Sequence, residues 1–294
     1  MIELKNEVLT ITIREVGAEI TSIIDNKSGF EFLWQGDPDI WKGQAPILFP
    51  FIGKLKKGTY SYQDQIFKPN KHGFARDMEF YTQSVTENSA SFYLKSSPAT
   101  KEIYPFDFSL QVTYILSDNH VTVSYEVLNT SHKETLYYAL GGHPAFNVAM
   151  DPGTEGFADL DLDFVPEAKY LRIPVNRHGL MTPNKAKYED LPANPIQKAK
   201  FNIDTYVFQI SKRTQVRLTD RAHGVEILVK PNEMNYLGVW YPYPKPAKLI
   251  AIEPWTGLPD RNNASGILEE KQEMTALEPQ AMNIHGFTLE LKKQ

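Results

Sequence analysis

The chain has 294 residues, 41% hydrophobic and 23% charged, with a formal charge of −5. That composition is globular and can bury a sizeable core. The mildly acidic balance argues against a nucleic-acid partner, because phosphate binding needs a basic field. No apolar run approaches the roughly 20 residues of a membrane span, and Met1-Ile2-Glu3-Leu4-Lys5 does not begin a signal peptide. The absence of cysteine removes disulfides, thiolate metal sites and cysteine nucleophiles together. A cytoplasmic location is the resulting expectation.

In chain order the dominant period is two. Leu9, Ile11 and Ile13 alternate with Thr10 and Thr12, as in a half-buried strand. Leu110, Val112, Tyr114 and Leu116 do the same. After a turn at Ser117–His120, so do Val121, Val123, Tyr125 and Val127, which predicts an antiparallel hairpin. A second hairpin is predicted from Thr214–Leu218 to Val225–Val229, turning through Asp220–Gly224, and a last strand at Phe287, Leu289 and Leu291. Asp151–Gly156 and Pro192–Lys200 read as polar loops. Ile267–Leu277 alone has helix-forming composition, enough for about three turns. Without βα alternation, repeats or a linker, the expectation is all-β: one large antiparallel β-sandwich domain over residues 1–294.

No phosphate loop, dinucleotide fingerprint, metalloprotease helix or nucleophile elbow is present. The histidines at 72, 120, 132, 143, 178, 223 and 285 are too far apart in sequence to suggest a local metal pair. Two have unusual neighbours. His72 lies in Lys-His-Gly-Phe-Ala-Arg at 71–76, and His143 in Gly-Gly-His-Pro-Ala-Phe-Asn at 141–147. Small neighbours let a ligand approach the backbone, and Pro144 biases His143 toward an extended conformation. Either histidine could equally be a turn residue or a satisfied core imidazole. Glu253 follows the apolar run Leu249-Ile250-Ala251-Ile252 and precedes Pro254. It reads as a carboxylate ending a buried strand, desolvated enough to act as a base near neutral pH, or else as a rim Glu paired with a cation. Trp34, Trp41, Trp240 and Trp255 sit near turn signals and could offer flat faces to sugar C–H groups, although core packing accounts for most aromatics in a sandwich.

Four segments taken together resemble the aldose 1-epimerase (galactose mutarotase-like) family, in its LacX-like branch. They are Pro46–Lys54, His72–Arg76, Gly142–Asn147 and Ile252–Gly257, in the family's order and over nearly the whole chain. The resemblance implies a β-supersandwich and cofactor-free, metal-free interconversion of the α and β anomers of an aldohexose such as galactose or glucose. It implies Glu253 as the base at the C1 hydroxyl, His143 as the acid at the ring oxygen and His72 as a hydrogen-bonding partner near that oxygen. It also implies Asp204 on the sugar hydroxyls. Lys54 stands where the family usually has Arg; it keeps the charge without the planar fork, and Arg76 could compensate. Ring opening removes one proton and adds another, a task that a carboxylate and an imidazole facing each other across the ring can perform, each transfer being worth roughly 10²–10⁴ in rate. The alternatives are a hexose-6-phosphate 1-epimerase with a phosphate clamp, a non-catalytic carbohydrate-binding protein, and a purely structural sandwich. The oligomeric state stays open.

Overall fold

The computed structural model describes residues 1–149, 160–191, 205–245 and 247–294. The predicted loops at Asp151–Gly156 and Pro192–Lys200, and Asp204, lie outside the described residues.

Two eight-stranded antiparallel sheets dominate. The first runs in the order Leu160–Val165, Gln215–Asp220, Val225–Lys230, Met282–Lys293, His120–Asn129, Phe108–Ser117, Ser89–Lys95 and Tyr81–Val85. Both predicted hairpins are present in it. Phe108–Ser117 and His120–Asn129 pair through the two-residue turn Asp118-Asn119, with Asp118 at φ +49°. Gln215–Asp220 pairs with Val225–Lys230. Along Phe108–Ser117 every second residue is buried, so the period-two pattern reflects one face on the core and one toward solvent. The C-terminal strand joins the two hairpins by pairing with His120–Asn129 on one side and Val225–Lys230 on the other.

The second sheet runs Lys187–Asp190, Lys169–Arg172, Tyr206–Gln209, Tyr236–Trp240, Leu249–Trp255, Gly141–Gly142 and Ile47–Leu48, and Ala145–Asn147 also pairs with Leu249–Trp255. A three-stranded sheet of Ile2–Lys5, Leu9–Arg14 and Glu19–Asp25 adds to the architecture. Side chains alternate across a strand. Ile250, Ile252, Leu237 and Val239 enter the main hydrophobic core with the inner face of the first sheet. Trp255, Tyr236 and Val207 point the other way, into a second apolar cluster with Leu48, Ile52 and Met181. Glu253 shares the face of Trp255.

The predicted helix at Ile267–Leu277 is not formed. Leu268–Glu270 makes one 3₁₀ turn and Thr275–Leu277 is a strand paired with Leu136–Tyr138. Glu273 sits at φ +62°, where a helix cannot continue. Burial of Leu268 and Leu277 together with strand pairing outweighs helix propensity here.

Candidate active site

Leu249–Trp255 is buried along its whole length, and it continues two residues beyond Glu253, where the sequence predicts its end. Pro254 is tolerated inside it for a local reason. The N–H groups of Ile252 and Thr256 donate to Pro144 and Leu140 on the neighbouring segment. The nitrogen of Pro254 therefore faces the break between Gly141–Gly142 and Ala145–Asn147, where no ladder bond is lost. His143 occupies that same break, its N–H donating to Pro46 at 3.1 Å. One irregularity in the sheet thus brings the histidine beside the carboxylate.

His143 Nε2 lies 3.2 Å from Glu253 Oε2. The two groups touch, so the expected placement on opposite sides of a sugar ring does not hold. The residues are 6% and 1% exposed. The His143 ring stacks on Trp41 at a centroid distance of 4.8 Å, and meets Trp240 edge-on at 5.5 Å. Its Nδ1 is buried and makes no hydrogen bond to another residue. Burial, reinforced by the positive charges of Lys71 and Arg76, holds the imidazole well below the usual histidine range. At neutral pH it is uncharged.

His72 stands beside it, with ring centroids 5.9 Å apart. It adopts a left-handed backbone, φ +67°, a conformation that costs energy for a residue with a side chain and is held by its surroundings. Its own N–H donates to the Gly53 carbonyl at 2.9 Å, and its Nδ1 accepts from Gly53 N–H at 3.0 Å. An accepting Nδ1 places the proton of the neutral ring on Nε2. Burial first, then Lys71, His143 and Arg76, holds this ring uncharged as well.

The other sequence candidates fall less close together. Arg76, in the 3₁₀ turn Ala75–Asp77, donates to the Lys71 carbonyl at 2.9 Å and lies 3.8 Å from Asp77. Its charge still acts on both histidines. Lys54 is exposed, and its carbonyl accepts from Asp260 N–H. Of the tryptophans, Trp41 and Trp240 cover His143. Trp255 is buried, its ring filling the space that a side chain at Gly238, opposite Glu253, would need. Trp34 donates to the Trp41 carbonyl at 2.7 Å. Lys71 is not among the sequence candidates, and its adjacency to His72 is the signal that marks it.

The aldose 1-epimerase family model matches residues 1–287. The chain belongs to the aldose 1-epimerase family. It is 35% identical over 290 residues to a chromosomal protein LacX of Lactococcus lactis subsp. lactis, covering 95% of each chain. A plasmid-encoded LacX of the same organism is 34% identical over the same length and coverage. A galactose mutarotase related enzyme from Lactobacillus acidophilus superposes with a TM-score of 0.94 at 31% identity, over 99% of this chain and 97% of that one. A galactose mutarotase-like protein from Lactobacillus casei gives 0.92 at 30%, over 99% and 100%. Membership of the aldose 1-epimerase family and this fold support a carbohydrate epimerase or mutarotase acting on small sugars. Among the described residues, no helix is long and apolar enough to cross a membrane.

Proposed function

We propose that the chain is an aldose 1-epimerase that interconverts the anomers of a free aldohexose such as galactose or glucose. The contact of His143 Nε2 with Glu253 Oε2 at 3.2 Å carries the reading. In a pyranose the C1 hydroxyl oxygen and the ring oxygen are bonded to one carbon. A base and an acid that serve them must be close neighbours. Glu253 takes the C1 hydroxyl proton. Glu253 passes that proton to Nε2 of the neutral His143 across the short gap. The C1–ring-oxygen bond breaks and C1 becomes a carbonyl, while the imidazolium so formed protonates the departing oxygen. One proton has moved between the sugar oxygens and the imidazole ends uncharged, consistent with the burial that keeps it so. His72 Nε2–H donates a hydrogen bond at the ring oxygen. Rotation about C1–C2 and reversal of the steps give the other anomer. Asp204 and Lys54 are assigned to the sugar hydroxyls on the family's pattern. The proposed setting is a single domain in the cytoplasm with no cofactor.

Glu253→Gln keeps the shape and removes the base. Polarimetry with α-galactose is expected to show a rate about 10²–10⁴ lower than wild type. A variant as fast as wild type overturns the assignment.

The positive charge of Lys71 and Arg76 at the two histidines favours one second reading, a hexose-6-phosphate 1-epimerase. If it holds, kcat/KM on glucose 6-phosphate exceeds that on glucose and Arg76→Ala removes the difference. Equal values on both sugars reject it.

A further inference from the structure

Resting on the epimerase reading, we infer that Asp260 and Lys271, a buried ion pair outside the His–Glu contact, are positioning residues that set the tautomer of His72. The chain of contacts is short. His72 is gripped by one peptide group, Gly53, whose N–H donates to Nδ1 and whose carbonyl accepts from the His72 N–H. What fixes His72 is therefore what fixes Gly53.

Gly53 begins a segment, 53–56, that has no strand neighbours of its own. It is held from the side by residues 258–260. The N–H of Asp260 donates to the Lys54 carbonyl at 3.0 Å, and Asp260 Oδ2 accepts from the Lys56 N–H at 2.8 Å. Gly53 has φ +65°, and a Cβ there would lie 2.4 Å from Cγ of Pro259. The Gly53 peptide thus packs directly against the residue preceding Asp260.

The Asp260 carboxylate is in turn oriented from behind. Lys271 Nζ lies 2.9 Å from Asp260 Oδ1 and donates to the Leu258 carbonyl at 3.0 Å. The two side chains are only 6% and 5% exposed. Taking two charges out of water is costly: burial, with a smaller contribution from Arg261, pulls the lysine below its usual range, while Asp260 and Glu273 oppose that shift. An apolar pair could fill this space. It could not present one carboxylate oxygen to Lys56 N–H while anchoring the other. The ion pair braces the backbone donor that makes His72 Nδ1 an acceptor and leaves its proton on Nε2, where a ring oxygen can use it. Outer-shell hydrogen bonds fix histidine tautomers at metal sites in the same manner.

The test is a two-bond ¹H–¹⁵N correlation of the histidine rings in the full-length protein, with His72→Gln used to assign the His72 signals, alongside polarimetric kcat and KM. Wild type is expected to show His72 neutral and protonated on Nε2 at pH 7. Lys271→Met should move the Nδ1 signal toward the protonated or averaged position and lower kcat about tenfold or more, with KM changing less. Lys271→Arg, which restores the cation, should recover both. A brace that only stabilises the fold would lower the melting temperature and leave ring signature and kcat alone. A wild-type His72 protonated on Nδ1 overturns the inference, as does a folded Lys271→Met with wild-type ring signals and kcat. If Lys271→Met does not fold, Asp260→Asn is read in its place with the same two outcomes. A wild-type protein with the expected tautomer but no accelerated mutarotation sinks the epimerase reading and leaves the tautomer assignment standing.

Discussion

The ring of His143 is held mainly by packing. Its Nδ1 makes no hydrogen bond to another residue; orientation comes from the Trp41 stack, the Trp240 edge and Glu253. The same contacts exclude water and keep the ring uncharged. Trp41→Leu should therefore hydrate the imidazole and raise its pKa toward the model-peptide value of about 6.5. Because the relay needs neutral His143, the acid limb of the kcat/KM–pH profile is expected to move to higher pH. An unmoved or downward-shifted limb contradicts this role of Trp41. The sequence singles out the histidines and Glu253 as candidates because unusual neighbours mark them: a Gly-rich approach, a following proline, an apolar run ending in an acid. Trp41 stands there only as one of four candidate sugar-facing aromatics and Asp260 not at all, since their contacts to this site depend on surfaces that meet only after folding.

At the scale of the element, the site depends on how the Leu249–Trp255 strand packs between its neighbours. Gly238, paired with Glu253, has Trp255 where its side chain would be: a Cβ would lie 2.7 Å from the indole ring. Gly238→Ala must displace Trp255, two residues from Glu253 on the same face. Overpacking of this kind costs about 1–3 kcal/mol, and the displaced strand should lower kcat as well. Thermal unfolding and polarimetry on the one variant check both, and a variant with wild-type melting temperature and rate refutes the packing argument. The hairpins were readable because period two survives in any sheet with one wet face. The Ile267–Leu277 helix was misread for the complementary reason. Leu268, Glu269, Glu270 and Lys271 favour a helix locally, but the left-handed Glu273 and pairing with Leu136–Tyr138 are tertiary constraints. Two-residue strands such as Ile47–Leu48 and Gly141–Gly142 are too short to show a period at all, yet the second flanks His143.

For the whole molecule, burying uncharged histidines ties stability to pH. His72 and His143 have folded pKa values depressed by burial, and His285 shifts the same way. Below the unfolded value of about 6.5 the unfolded chain binds protons that the folded chain refuses. Stability should therefore fall as pH drops through that point, by up to about 1.4 kcal/mol per pH unit for each fully depressed histidine. Urea unfolding between pH 7 and 5 is expected to show the loss, and a shallower one in His72→Gln. A flat wild-type profile contradicts the buried neutral state. The all-β class and two-sheet character could be read from alternation, but not the strand order. No pattern in Met282–Lys293 says that it will lie between two hairpins from distant parts of the chain.

The most direct measurement is a polarimetric double-variant cycle on wild type, Glu253→Gln, His143→Asn and the combined variant, with α-galactose. If the touching pair works as one relay, wild type accelerates mutarotation, each single variant loses about 10²–10⁴, and the combined variant loses no more than the worse single. A wild-type protein that leaves the sugar at its spontaneous rate, or single losses that multiply in the combined variant, would contradict it.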